Sequence, residues 1–292
     1  MSAAHAVAAA APTQLHITGR WQDASDRATF DVIDAASGES LATVAGGTVE
    51  DALSCVDAAA GAGVLWAATP PRERAEILRG VYQSMIDQAD ELALLITAEN
   101  GKALADPRGE VLYSADFFRW YVEETVRLRG EIQTAPGGAN KIMVLRQPVG
   151  VALLVTPWNF PAAMAARKIV PALAAGCTMI LKPATETPLT ALRLAAIMHD
   201  AGVPAGVVNV LPSLDSPAVV SAMLADERVH KLSFTGSTQV RRALLNLAAE
   251  SRTAGGGSGQ GRRGPHRRPW RSQRTCARSG RAVRNERRLT MV

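Results

Sequence analysis

Apolar positions along the chain keep two rhythms, and the change falls at Gly150. Residues near 49 to 63 and 71 to 127 place apolar side chains three and four positions apart, the spacing of a helix with one buried face. The segment PPRERAEILRGVYQSMIDQADELALLITAENGK opens on prolines and closes near a glycine, which are helix start and stop signals. DPRGEVLYSADFFRWYVEETVRL continues as another amphipathic helix, and GEIQTAPGGANKIMVLRQPVG reads as two strands about a Pro-Gly-Gly turn, a hairpin arm over 128–147. From Gly150 the apolar runs VALLVT, CTMILK, GVVNVL and KLSFTG alternate with helical stretches beginning near Pro161, Pro188, Ser216 and Ser237. That alternation predicts βαβ units, an α/β fold whose parallel sheet is covered on both faces. Open sheets of this kind bind ligands beyond the carboxyl ends of their strands. Here the runs end in TPWN, KPAT, PSLD and TGST, all polar or turn chemistry.

Composition narrows the class. A chain of 292 residues with 47% hydrophobic and 4% aromatic content can bury a substantial core of the Ala/Val/Leu-rich kind found in α/β enzymes. Residues 1–14, MSAAHAVAAAAPTQ, lack the basic start and long apolar core of a secretory signal and are expected to be a flexible N-terminus. Stretches such as VGVALLV and IVPALAAGCTMIL are too short, or too broken by Pro and Gly, to cross a bilayer, so a cytoplasmic protein without a membrane partner is expected. Cys55, Cys177 and Cys276 stand at wide, unrelated spacings that match neither a disulfide framework nor a zinc site, and no metal is expected. The net charge of +5 averages two unlike pieces. Residues 251–292 hold 12 arginines, no lysine and one acid, Glu286, whereas the rest holds 20 bases and 26 acids. The body therefore offers no basic face for nucleic acid. The tail lacks apolar periodicity and is expected to be disordered.

Three of the strand ends carry candidate chemistry. Phe234-Thr235-Gly236-Ser237-Thr238 ends a strand and opens a helix, where a glycine admits close backbone approach and the first N–H groups can hold a pyrophosphate; an ordinary Ser/Thr helix cap reads the same way. Lys182-Pro183-Ala184-Thr185 puts a lysine where it can reach ribose or phosphate, or simply stand solvated at the sheet edge. Thr156-Pro157-Trp158-Asn159-Phe160-Pro161 sets an amide and an indole at a strand end, and neither is needed by a bare scaffold. Asn159 also suits a helix N-cap before Pro161.

Taken in order, TPWNFP, the MAARK helix, PALAAGCTMILKP, ETPLTAL, AGVPAGVVNVL and KLSFTGST make the chain resemble the aldehyde dehydrogenase superfamily, with succinate-semialdehyde dehydrogenases the nearest in kind. The resemblance runs over roughly 15 to 250. It implies a Rossmann-like cofactor-binding domain in 15–127 with 148–250, a hairpin arm for oligomer assembly, and NAD(P)-dependent oxidation of an aldehyde to its acid. By the same resemblance Asn159 donates to the oxyanion, and Thr156, Pro157, Trp158, Lys182, Pro183, Ala184, Thr185, Gly236 and Ser237 surround the cofactor. Phe160 and Arg167 serve the substrate, Arg167 by holding the distal carboxylate of a semialdehyde acid in a bidentate fork. Lys168, about 100° round the helix, is expected to face elsewhere. A neutral Thr185 beside Lys182, where NAD-preferring relatives place a carboxylate, points to NADP, with Glu186 one step away as a route to NAD.

The sequence departs from the family pattern in four places. Arg241 stands where a glycine is usual, which is expected to crowd the pyrophosphate. The Ser213-Leu214-Asp215 loop lacks its glycine, GGGSGQG holds no glutamate for deacylation, and only Cys276, in RTCARSG, comes late enough to be weighed as nucleophile. Arg-, Gly-, Ser- and Pro-rich sequence without lysine is what an out-of-frame reading of a GC-rich gene yields. The expectation is a frameshift after Glu250 and a truncated, inactive dehydrogenase. The alternatives are a nucleotide-binding remnant, or an Arg-rich nucleic-acid-binding arm, which would carry only Trp270 for stacking.

Overall fold

Seven apolar-faced strands run side by side as the frame of the molecule. The structure, a computed structural model, describes residues 3–250 and 254–257. It begins with α1 (Ala3–Ala10), the strands β1 (Leu15–Ile17) and β2 (Arg20–Gln22), and a ribbon of β3 (Thr29–Ile33) and β4 (Ser40–Ala45). Four helices follow, α2 (Val49–Ala68), α3 (Pro71–Asp87), α4 (Ala89–Asn100) and α5 (Ala105–Thr125), and then the hairpin of β5 (Glu131–Thr134) and β6 (Lys141–Val144). The alternating part comprises β7 (Val151–Val155), α6 (Pro161–Ala174), β8 (Thr178–Lys182), α7 (Pro188–Asp200), β9 (Val208–Val210), α8 (Ser216–Ala225), β10 (Val229–Phe234), α9 (Thr238–Glu250) and β11 (Ala254–Gly257).

The sheet order is β11-β10-β7-β8-β9-β1-β2. The first five strands are parallel, as the alternation predicts; β1 and β2 add an antiparallel edge. Strand alternation divides the core between the two faces. Ala152, Leu154, Met179 and Leu181 pack with α3 to α7, while Val151, Leu153, Ile180 and Leu232 pack with α2, α8 and α9. Register then fixes the site edge: Val155 pairs with Lys182 on one side and with Phe234 on the other. TPWN, KPAT and TGST therefore leave the sheet at one level.

Several expectations need correction. Residues 3–10 are helical rather than flexible. Their alanines have the highest helix propensity, Ala8 is fully buried, and His5 sits 3.5 Å from Asp34. The strands between 15 and 45 add to the expected elements: three-residue strands such as LHI show no alternation to count, whereas β3 (TFDVI) does alternate exposed and buried positions. α2 runs on to Ala68, past Gly61 and Gly63, because the buried Trp66 anchors its last turn. It begins with a reciprocal capping box, Thr48 N–H to Asp51 (2.9 Å) and Asp51 N–H to Thr48 Oγ1 (3.2 Å), worth about 1 kcal/mol. Among the described residues α2 is also the one helix long and apolar enough to cross a bilayer; here its buried face packs on the sheet and α8. In the tail, Ala254–Gly257 is not disordered, since it pairs in parallel with Lys231–Phe234. The remaining tail and Cys276 lie outside the described residues.

Candidate functional site

The loop between β7 and α6 is exposed at its tip but held from beneath. Thr156 is buried, and its N–H donates to the Lys182 carbonyl (3.3 Å); Trp158, Asn159 and Phe160 face solvent. The sequence ENGK builds the support. Gly101 ends α4 in the left-handed region (φ 76°), a conformation that glycine adopts without strain, and so turns its neighbours Asn100 and Lys102 toward the loop. Asn100 Nδ2 donates to the Trp158 carbonyl (2.7 Å). Lys102 donates to the Asn159 carbonyl, lies 3.8 Å over the Phe160 ring, and pairs with Glu110 at 3.0 Å.

Glu110 completes the clamp. Buried in α5, its Oε1 accepts the N–H groups of Ala162 (2.9 Å) and Ala163 (3.2 Å), at the start of α6. This overturns the N-cap reading of Asn159. Phe160 occupies the cap position without a side-chain bond, and a remote carboxylate answers the helix's orphan donors and dipole instead. The Asn159 side-chain amide is left without a partner among the described residues. Glu99 does the same for α7, accepting from the N–H of Leu189, the N–H of Thr190 (3.0 Å) and the Thr190 hydroxyl (2.5 Å). Burial raises its carboxyl to about 7 against those hydrogen bonds.

Two lysines beneath the edge are desolvated. Lys182 is not a solvated edge residue: it is 4% exposed and donates to the Ser216 hydroxyl. Burial lowers its pKa to about 8, with exposed Glu186 pulling the other way. Lys168 indeed faces away from Arg167, but inward, donating to Ser233 Oγ at 3.1 Å. Burial and the neighbouring Arg167 bring its pKa to about 8 as well. Arg167 is exposed and makes no hydrogen bond or ion pair among the described residues. Pro183 is buried, Ala184 and Thr185 are half-buried, and the Thr185 hydroxyl donates to the Ser213 carbonyl (3.0 Å).

The β10 to α9 turn is plainer. The Ser237 hydroxyl accepts from the Val240 N–H (3.3 Å), so the helix-cap reading holds. At Gly236 the required close approach is to the protein itself: a Cβ there would stand 2.5 Å from the Phe234 ring. Arg241, half-buried, keeps a buried Nε with no hydrogen-bond partner among the described residues. In the Ser213-Leu214-Asp215 loop, Asp215 caps α8 by accepting from the Ala218 N–H (3.0 Å). Cys55 and Cys177 are buried, and burial pushes both thiols up, away from the thiolate a nucleophile needs.

The arrangement combines an unpaired amide on a clamped loop after β7, a desolvated ammonium on the strand to one side, and a helix N-terminus after the strand to the other. Asn100, Lys102, Glu110, Glu99 and Lys168 were not singled out as site residues from sequence. The one available signal was ENGK followed by Glu110 within the resemblance.

Comparison with known proteins identifies the family and agrees with the fold. The sequence pattern of the Aldehyde dehydrogenase family matches residues 21–255. The chain is 52% identical to the succinate-semialdehyde dehydrogenase of Paenarthrobacter nicotinovorans over 72% of its own length and 46% of the relative's. It is 44% identical to the succinate-semialdehyde dehydrogenase [NADP(+)] GabD of Escherichia coli (strain K12), over 81% and 49%. Among solved structures, an E. coli NADP-dependent enzyme superposes with a TM-score of 0.84 at 41% identity, over 86% of this chain and 52% of that one. A betaine aldehyde dehydrogenase from Staphylococcus aureus in complex with NAD+ superposes at 0.84 with 28% identity, over 87% and 51%. The chain thus spans about half the length of the curated relatives it matches.

Proposed function

Because the chain belongs to the aldehyde dehydrogenase family, we propose that its strand-end crevice holds NADP beside a small aldehyde, succinate semialdehyde foremost, as the cofactor-binding part of an enzyme that oxidises the aldehyde to its acid. The observation that carries this is the register that brings the Asn159 loop, Lys182 and the start of α9 to one level of the sheet.

The donor set fits a dinucleotide. A buried ammonium whose hydrogen bond goes to a neutral hydroxyl, together with a nearby helix N-terminus, is chemistry that an anionic phosphate satisfies, with Arg241 crowding the site and weakening the contact. Lys182 and the N-terminus at Ser237 would take the phosphates; Thr156, Pro157 and Trp158 would wall the cofactor, and Pro183 and Ala184 would floor it. Thr185 carries no charge to repel a 2′-phosphate, which favours NADP; NAD, read through Glu186, is the alternative. When bound, the cofactor supplies a hydride acceptor. The Asn159 amide would donate to the oxyanion of a carbonyl under attack, a contact worth about 3 to 4 kcal/mol. Phe160 borders the substrate, and the exposed guanidinium of Arg167 would take a distal carboxylate. The hairpin arm would seat on a second copy of the chain, and the setting is cytoplasmic.

Turnover is a separate matter. Cys55 and Cys177 are buried in α2 and at the start of β8, so neither offers a thiolate to an aldehyde. The proposal is therefore binding without oxidation. Succinate semialdehyde and NADP added to the full chain should give no rise in reduced-nicotinamide absorbance. A rise that vanishes in Cys276→Ala would show a working nucleophile and overturn the inactive reading.

A further inference from the structure

Lys168 has no task in the dinucleotide reading, yet its surroundings are specific. It reaches from α6 across β7 to β10, where its Nζ meets the hydroxyl of Ser233, one residue before the strand ends. No carboxylate pairs with it among the described residues, and the adjacent Arg167 is a like charge, itself unpaired. A buried amine beside a second cation, bonded only to a neutral hydroxyl, is the arrangement that makes a lysine nucleophilic. Its lowered pKa, about 8 from burial and Arg167, agrees with that. Lys168 itself is 7% exposed; Ser233, half-buried and one residue before the end of β10, is the more open member of the pair.

We propose that Lys168 is an amine nucleophile that captures small aliphatic aldehydes as an imine, with the Ser233 hydroxyl carrying the proton. The neutral amine attacks the aldehyde carbon, a C–N bond forms, and the carbonyl oxygen takes up a proton to give the carbinolamine. Loss of that hydroxyl with the nitrogen proton releases one water and leaves the C=N bond. No electrons change hands, so neither cofactor nor cysteine is required. Ser233, placed 3.1 Å from Nζ, relays the proton between nitrogen and oxygen. The proposal rests on the aldehyde-binding reading only for the choice of probe.

The test uses the full chain with succinate semialdehyde and sodium cyanoborohydride, without nicotinamide cofactor, followed by peptide mass mapping. The chain holds five lysines, Lys102, Lys141, Lys168, Lys182 and Lys231, so each can be scored. The reduced adduct should accumulate on Lys168 at least about tenfold faster than on exposed Lys141. Ser233→Ala should slow labelling at Lys168 alone, and Lys168→Arg should abolish it while far-ultraviolet dichroism is unchanged. If Lys168→Arg fails to fold, the wild-type map still decides. Labelling led by Lys141, Lys102 or Lys182, or the same distribution in urea-unfolded chain, would overturn the proposal. NADP titration of the same sample separates the two readings. An unlabelled Lys168 in a chain that binds NADP sinks the imine alone; a labelled Lys168 in a chain blind to NADP sinks the cofactor reading alone.

Discussion

Helices α6 and α9 leave neighbouring strands at the same level of the sheet, and both aim their N-termini at the crevice, but they are held differently. The start of α6 is answered by Glu110, a buried carboxylate from another helix that also anchors Lys102 and, through it, Asn159 and Phe160. The start of α9 is answered by its own Ser237, with no remote carboxylate accepting from it among the described residues. A cap supplied from a distance fixes where the loop sits relative to the rest of the fold. A cap supplied locally fixes only the helix. The difference places preorganisation on the side that carries the oxyanion donor and leaves the phosphate side to be completed by its ligand.

Breaking the distant cap should have the largest effect. Glu110→Ala leaves two helix donors and Lys102 without their partner, a loss of about 3 to 5 kcal/mol. Ser237→Ala, a simple cap deletion, should cost about 1 kcal/mol. Urea midpoints at constant m-value measure both. Equal costs would erase the contrast between the two ends.

A second prediction concerns desolvated charge. Folded Lys182 releases its proton near pH 8, below the 10.5 of an unperturbed lysine, so the unfolded chain binds more protons between those values. The cost of burying it is therefore fully present below about pH 8 and fades as the pH rises toward 10.5. Lys182→Met should stabilise the chain by about 2 kcal/mol at neutral pH, with the gain shrinking as alkali is added. A difference between the two proteins that does not change with pH would show that Lys182 is solvated in the folded state.

The smallest effect belongs to the hairpin. Ile132 (71% exposed) and Met143 (62%) touch little, so Ile132→Ser and Met143→Ser should change stability by less than about 0.5 kcal/mol. A larger loss would mean that the arm is covered in the chain as it exists in solution, and sedimentation would then show a second copy.

These contrasts also mark what sequence could and could not tell. The alternating half is legible because each element carries its own punctuation: Pro161, Pro188 and Ser216 open helices, and short apolar-rich runs that end in polar or turn residues mark the strands. The N-terminal half is legible as helices but not in its strands: β1 and β2 are only three residues each, and the edge they form joins the sheet through His16 beside Val210, far away in sequence. Residues 1–14 read as flexible because an alanine run carries no polar face, yet that lack of bulk lets α1 pack closely on α4. At the site, Asn159, Lys182 and Ser237 could be named because they end strands. Glu110 and Glu99 could not, because a remote cap is invisible until two helices are brought together. For the same reason Asn159 was given a capping task that Glu110 performs. Lys168, expected only to face away from Arg167, lies on the buried face of α6, which is wide enough to include it.

The central claim is that the strand-end crevice binds a nicotinamide dinucleotide through the buried charge of Lys182. Calorimetric titration of the full chain with NADP and with NAD, beside Lys182→Met, tests it most directly. The account predicts measurable NADP binding, weaker NAD binding, and loss of most NADP affinity in a variant that is itself no less stable than the parent. Unchanged NADP affinity in Lys182→Met, or tighter binding of NAD than of NADP, would contradict it.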